Sequence, residues 1–480
     1  MSELKKSKNK PDRIHILGTM PVNKAIIKLA VPTMIANTIQ VVYNMTDTFF
    51  IGRVGEGAAD MVGAISVCMP VFMILQSFGN IFSIGGASLI SRLLGQGNRE
   101  RANNAAAIAF WTALCVCSTL SILSLIFIDK IILLCGATGK VIEYARTYLF
   151  YMLIGAPFIG MQMALNGLLR SEGATNQSMI GMMTGSFLNM ILDPIFIFTF
   201  SMGIAGAAIA TTIGNIVGFS INISYYLRKK GIISLSLSNY RFDSSYFKSI
   251  FKIGIPASFG MILMSTGMLI GNSVAATVDP SNALVSANGI AHRITNVSFM
   301  LMMGLTQGCQ PLLGFSYGAK KYKRLFSAVK FTIIFGTCMC TLFAVSFNLL
   351  ADIWIRLFID DPVIIKLGAR IMRMVTYSMP VLAVQMTLMT VFQALGKTLQ
   401  SLIISLGRQG LFFIPSIILF SKFWGLDGYI IAPFISDIFT TSLSVTLFLI
   451  MRKSMPHKID ENAEIDPEDL ASLATEDNIT

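Results

Sequence analysis

The sequence predicts an all-α polytopic membrane protein, with twelve transmembrane helices in two pseudo-symmetric six-helix lobes. Three observations carry that reading. Hydrophobic residues fill 54% of the 480 positions and charged residues only 13%, against roughly 25% charged in soluble chains. Apolar runs of about 20 residues or more, the length that crosses a bilayer, recur along the whole chain. The second six runs also repeat the first six.

The runs lie at 24–50, 62–91, 105–128, 142–168, 176–199, 203–228, 247–276, 284–314, 326–350, 365–394, 400–421 and 425–451. Before them, residues 1–23 are charged and lack a short apolar core ending at a small-residue cleavage site. They read as a cytosolic leader and not as a signal peptide. Lys5, Lys6, Lys8, Lys10 and Arg13 precede span 1, and Arg92, Arg99 and Arg101 follow span 2. Arg228, Lys229, Lys230 and Arg241 follow span 6, and Lys320, Lys321, Lys323 and Arg324 follow span 8. The opposite gaps carry few or mixed charges. Cationic loops stay inside, so both termini are expected in the cytosol. The least hydrophobic connection, 229–246, joins an N-lobe (24–228) to a C-lobe (247–451). The tail, 452–480, holds eight of the 25 acidic residues, from Asp460 to Asp477, and reads as a solvated, disordered end.

The halves match residue by residue. Lys28–Pro32 recurs as Lys252–Pro256 at an offset of 224, and Pro157 and Gln162 recur as Pro380 and Gln385 at 223. Gly173, Gln177 and Ser178 recur as Gly396, Gln400 and Ser401, and Gly203 and Gly206 as Gly425 and Gly428. Six spans per half is an even number, so the repeat is parallel and its two-fold axis runs along the membrane normal. Two-lobed transporters are built this way, although duplication alone also fits a channel.

Several classes are excluded. The basic excess is scattered through short gaps between spans, which does not fit nucleic-acid binding. There is no phosphate loop of the GxxxxGK[ST] kind, so no ATPase domain or subunit is implied. Neither HExxH nor GxSxG occurs, and with three His in the chain no hydrolase machinery is evident. The chain is not expected to be an enzyme.

A carboxylate inside hydrocarbon costs about 2.5–3.5 kcal/mol on insertion scales, so each one requires a role. Before the tail, only Asp47, Asp193 and Asp437 are placed within spans beyond their first few residues. Asp47, near the outer end of span 1, and Asp193, in the outer part of span 5, reach compatible depths. Together they suit a proton relay, or Na⁺ if oxygen ligands are added. Gln40, Tyr43 and Asp47 share a helix face, as do Asn189 and Asp193 at i, i+4, and Thr211 in span 6 reaches a similar depth. The alternatives are that Asp47 caps a helix end or pairs with Arg53, and that Asp193 merely precedes Pro194. In the C-lobe, Arg293 is read as the one in-span cation and lies level with Asp437. They form either a buried ion pair or, through Asp437, a cation-attracting substrate site, with His292 beside them as a packing residue. Pro32 in span 1 is a candidate hinge. The 29 Met residues suit a surface that accepts many ligand shapes.

Seven motifs carry a family resemblance. They are Asp47-Thr-Phe-Phe-Ile-Gly-Arg53, Gly95-Gln-Gly-Asn98, Leu168-Leu-Arg-Ser-Glu-Gly173, Asn189-x-x-x-Asp193-Pro194, Gly203-Ile-Ala-Gly206, Gln310-Pro311 and Tyr317-Gly-Ala319. Across residues 20–452 the chain resembles the MATE (multidrug and toxic compound extrusion) family, in its multidrug export branch of bacterial cell membranes. The resemblance implies a V-shaped two-lobe fold that exports cationic and amphipathic drugs in exchange for H⁺ or Na⁺ by alternating access. It implies no cofactor and no partner beyond the drugs and the bilayer, so a monomer is expected. It puts ion coupling, and Na⁺ ligation if Na⁺ is the ion, at Asp47, Asn189, Asp193 and Thr211. It nominates Gln40, Gln162, Asn166 and Met182 for the drug cavity, beside which Tyr43 and Asp437 are further substrate candidates. Another branch places coupling carboxylates in span 7, where this sequence has none, and that departure favours the N-lobe site. The rivals are a lipid-linked oligosaccharide flippase of the same superfamily, expected to carry several in-span Arg or Lys, and an ion channel.

Overall fold

A computed structural model of the protein describes residues 9–51, 53–54, 57–279, 281 and 283–455. Lys5, Lys6 and Lys8 of the leader, and the acidic tail from residue 456, lie outside the described residues. Among those residues every regular element is helical, as an apolar chain in lipid requires, because a helix satisfies its own backbone groups.

The first half comprises α1 (Asn9–Gly18), α2 (Val22–Ile51), α3 (Ala58–Gly95), α4 (Arg99–Ile126), α5 (Ile128–Leu134), α6 (Val141–Ser171), α7 (Thr175–Pro194) and α8 (Gly203–Leu227). The second comprises α9 (Ser244–Val278), α10 (Ala283–Gly318), α11 (Tyr322–Leu349), α12 (Ala351–Arg356), α13 (Pro362–Ala394), α14 (Thr398–Leu406) and α15 (Phe413–Ser454). Five-residue π-turns, Ile195–Thr199 and Gly407–Leu411, continue α7 and α14.

Ten helices among the described residues are long and apolar enough to cross a membrane. One of the ten runs from Thr398 to Ser454, 57 residues, and Gly425 breaks it with φ 56° and ψ −127°, a conformation open to glycine. The predicted spans 400–421 and 425–451 fall on either side of that break. Helix α10, 36 residues long, is not among the ten. Asn288, His292, Arg293, Asn296, Gln307 and Gln310 dilute its apolar content. The short helices α5 and α12 occupy matching places in the repeat, and each is tied to the helix that follows it: Arg146 pairs with Asp129 (3.2 Å) and Arg373 with Asp352 (2.5 Å).

Packing is mostly within each half. Between the halves, α2 lies on α10 and α9 on α3, two junctions related by the repeat. A Cβ on Gly308 of α10 would stand 2.4 Å from Ala30 Cα of α2, and one on Gly254 of α9 would stand 2.3 Å from Ile81 O of α3. Glycine is what lets these backbones touch. Ser258 Oγ donates to Ser77 O at 2.8 Å and Ser88 Oγ to Gln393 O at 2.6 Å. These contacts lie toward the end that carries the connection between the halves, here named the linker end. The outermost of them, from Ser265 Oγ to Met73 Sδ at 3.0 Å, is at mid-helix.

Two features of the linker end go beyond the sequence reading. Residues 9–18 of the leader are helical. The connection 229–246 is ordered as well: α9 begins at Ser244, capped by Asp243, and the segment before it is pinned to α4. Asn103 Oδ1 accepts from Ser234 N (2.9 Å), Trp111 Nε1 donates to Leu235 O (3.1 Å), and Asn104 Oδ1 accepts from Arg241 N (3.0 Å).

Candidate functional site

The i, i+4 spacing puts Asn189 and Asp193 on the face of α7 that meets α8. The helices approach closely there, because a Cβ on Gly185 or Gly214 would stand 2.6 Å from the other's carbonyl oxygen. Asn189 Nδ2 donates to Asp193 Oδ1 at 3.3 Å and to Thr211 Oγ1 at 3.1 Å. Pro194 then removes a ladder donor, and the chain runs on as the π-turn, a feature common at functional sites. Tyr43 of α2 lies beside Thr211 and within the electrostatic reach of Asp47 and Asp193, and the two carboxylates act on one another. The structure thus brings together Asp47, Asn189, Asp193 and Thr211. It adds Tyr43, expected on the drug side, and Tyr148 of α6, whose hydroxyl feels both carboxylates. Tyr148 belongs to no motif, and as one of 12 Tyr it gave no signal beyond its place on a buried face.

Asp193 is fully buried and Asn189 is 2% exposed. Asp47 Oδ1, Asp193 Oδ2 and Asn189 Oδ1 are buried without a hydrogen-bond partner among the described residues. A buried acceptor left unpaired is costly, and a proton or a cation removes that cost. The donor set is all oxygen, from carboxylate, amide and hydroxyl, and suits a hard cation or H⁺ rather than a soft metal. Arg53, the alternative partner of Asp47, lies over the Phe49 ring, 4.3 Å from its centroid.

The remaining N-half candidates are placed as follows. Asn166 is buried where α6, α7 and α8 meet, and its Oδ1 accepts from Ser178 Oγ (3.1 Å) and Asn222 Nδ2 (2.9 Å). Gln162, one turn away, is buried with both amide atoms unpartnered. Gln40 and Met182 are half-buried, and Pro32 is buried inside an unbroken α2. A pocket of about 410 Å³, lined by Glu143, Tyr144, Ile197 and Gly203 among others, opens one turn beyond Tyr148 and Asp193. An apolar one of about 270 Å³ lies between Val31, Met34, Ile35 and Leu301.

In the second half the structure corrects the expected pair. Asp437 does not meet Arg293. Its carboxylate faces Arg408 Nε at 3.6 Å, with Ser378 nearby. Arg408 sits in the π-turn of α14, where the widened turn shifts side chains around the helix axis and carries this one toward α15. Ser436 of α15 donates to its carbonyl at 3.4 Å, and Phe299 lies 5.4 Å from the guanidinium. Arg293 and His292 are exposed on α10. Matching depth had fixed the height of Arg293 but not its azimuth. Arg408 also lies within predicted span 11, so Arg293 is not the one in-span cation.

A profile of the MatE family matches residues 32–195 and again residues 256–419. The chain belongs to the MatE family. The two matched stretches start at 32 and 256, the same offset of 224 that relates Lys28–Pro32 to Lys252–Pro256. This MatE chain is a multi-pass membrane transport protein and not an enzyme. It is similar to the multidrug export protein MepA of Staphylococcus saprophyticus, 30% identical over 447 residues that cover 92% of this chain and 97% of that protein. Among solved structures it is similar to a MATE in complex with MaL6 (TM-score 0.86, 27% identity, covering 92% of this chain and 98% of that one). It is also similar to an outward-facing conformation of a multidrug resistance MATE family transporter of the MOP superfamily (TM-score 0.85, 28% identity, 92% and 97% covered).

Proposed function

We propose that this chain is a secondary multidrug efflux antiporter that exports cationic and amphipathic drugs in exchange for H⁺ or Na⁺ by alternating access. The observation that carries the reading is the set of three unpartnered buried oxygens on Asp47, Asp193 and Asn189. They form a cation-shaped deficit inside one lobe of a transporter whose relatives include multidrug export proteins. The ten apolar helices, the break at Gly425 and the length of α10 support twelve crossings in two six-helix lobes, 24–228 and 247–451. The cationic loops support a cytosolic linker end with both termini inside. The lobes touch at that end, as expected of a protein open to the outside, and the likeness to an outward-facing MATE agrees.

In this reading H⁺ or Na⁺ arriving from outside settles on Asp193 and Asp47 and cancels their charge. Gln40 lies two turns deeper on the same helix as Asp47, so α2 joins the ion site to the drug cavity around Gln40, Gln162, Asn166 and Met182. Pro32 gives α2 a place to bend toward the neutralised pair, narrowing that cavity and expelling the drug. An ion can shift the equilibrium only by its differential affinity for the two states, and the buried carboxylates supply that difference. A lipid-linked saccharide flippase fits less well, since the in-span Arg408, Arg370 and Arg373 are each committed to an acid of the chain, Asp437, Asp427 and Asp352. Efflux of a cationic dye from proteoliposomes under separate Na⁺ and pH gradients tests the proposal. Uphill efflux that follows one gradient and stops when it collapses is expected. Purely downhill dye flux under both gradients would overturn it.

A further inference from the structure

The last carbonyls of a helix have no intrahelical donors. At the end of α1, one side chain from the opposite half satisfies two such groups and a third carbonyl in the turn that follows. Arg324, at the start of α11, donates from Nη2 to Ile16 O (3.1 Å), from Nε to Leu17 O (3.0 Å) and from Nη1 to Met20 O (2.6 Å). Lys321 Nζ adds a bond to Gly18 O at 3.4 Å, and Phe315 of α10 packs on Gly18. A cation at a helix C-terminus also complements the helix dipole.

The rest of α1 is held by the first half. Arg13 Nη1 stands 3.9 Å from Glu172 Oε1 and donates to Lys230 O at 3.3 Å, and its guanidinium lies 5.0 Å over the Tyr225 ring. Glu172, in the turn between α6 and α7, is fully buried. Its Oε2 accepts from the amides of Ile232 (2.6 Å) and Ile233 (3.1 Å) in the connection between the halves. Leu17 packs beside Gly173, whose φ of +79° suits glycine. None of these residues belongs to the ion site or the drug candidates.

We propose that α1 is a strap across the linker end, with Arg324 as its anchor on the second half and the Arg13–Glu172 contact as its anchor on the first. Together these positioning residues hold the linker end closed. The inference rests on the alternating-access reading. When the linker end opens, α2 must leave α10 and α3 must leave α9, and α1 cannot keep both anchors. It is continuous with α2 of the first half, so the Arg324 end is the one that lets go. Release bares three carbonyls that Arg324 recovers on closing, which biases the resting protein toward the closed linker end.

Two arms test this on the full-length protein in nanodiscs and proteoliposomes. Arg324→Gln should raise hydrogen exchange several-fold in segments 77–95 and 304–318, which form the interhalf junction, with Arg324→Lys intermediate. A charge-assisted hydrogen bond biases an equilibrium by about tenfold or more, so three at one anchor suffice for that response. Exchange that rises only within residues 9–20 would overturn the strap. In the second arm, Gly18→Cys and Lys321→Cys are joined by a short bismaleimide in a background with Cys115→Ser and Cys338→Ser. Dye affinity should stay within twofold while dye efflux falls at least tenfold relative to the same protein before cross-linking. Unchanged efflux after complete cross-linking would refute the proposal. If the protein before cross-linking shows no uphill efflux, the antiporter reading fails instead, and the exchange arm still decides on the strap.

Discussion

The two halves of this transporter share a scaffold and differ in what they bury. In the first half, Asp47 and Asp193 face one another with no cation beside them among the described residues. In the second, Asp437 sits against Arg408. At the repeat offset of 224, Tyr43 and Asp47 correspond to Gly267 and Gly271, and the space beside those glycines is bordered by Phe413 and Ile417. A buried charge needs a counter-charge. The second half supplies one from its own chain and fills the rest with apolar side chains, whereas the first, on the proposed reading, leaves the place for a partner from solution. Duplication preserved the glycine junctions and the short helices α5 and α12, while the unpaired carboxylates occur in one copy among the described residues.

The largest effect expected from this contrast follows from changing the unpaired acid. Asp193→Asn should abolish uphill dye efflux while the protein still reaches the membrane at a normal level, and Asp47→Asn should be nearly as damaging. Quantitative blots beside transport assays check both, and retained uphill efflux in either variant would move coupling away from this pair.

Changing the paired acid should act on folding instead. Asp437→Asn strands Arg408, and breaking a buried pair costs about 3–5 kcal/mol in soluble cores. A quarter of the Arg408 side chain is exposed, so the loss should fall below that range. Yield in the membrane should drop and partly recover when Arg408→Gln is added. Full expression of Asp437→Asn with loss of cationic substrates alone would instead make Asp437 a substrate residue. Gly271→Asp sharpens the comparison from the other side. An unpaired carboxylate against Ile417 should cost about 2.5–3.5 kcal/mol, lowering yield without adding a second coupling ion.

The smallest effect concerns the linker end. Burial pushes Glu172 up to about 7, although Arg13, the Ile233 and Ile232 amides and Arg99 oppose the shift; Tyr226 is the other titratable group beside it. A carboxyl raised in the folded state binds protons that the unfolded chain has already lost, so stability rises as pH falls through that window. The melting temperature of the detergent-purified protein should climb modestly from pH 8 to pH 6. A slope that persists unchanged in Glu172→Gln would assign the effect to another group.

How much of this was legible in the sequence depends on what each feature requires. Spans announce themselves by length and apolarity, and the twelve runs fall on helices as read. Asp47 and Asp193 stood out because carboxylates are so rare inside apolar runs, and the i, i+4 spacing brought Asn189 with them. The Arg408–Asp437 pair was not legible. Depth along a helix gives height, while azimuth depends on a π-turn that no residue pattern in α14 signals. Nor was the strap legible. Residues 9–18 read as a polar leader because their anchors lie far along the chain, where Arg324 read as one of several loop cations and Glu172 as part of a motif.

The central claim is that the ion and the drug compete through α2, and one measurement tests it most directly. Drug affinity of the purified protein is titrated against Na⁺ and against pH, in the wild type and in the Asp47→Asn, Asp193→Asn double variant. Linked sites usually differ by about 5–150-fold. The account predicts a fall in wild-type affinity within that span as the coupling ion is added, and no fall in the double variant. Affinity independent of both Na⁺ and pH across the range where transport runs would contradict it.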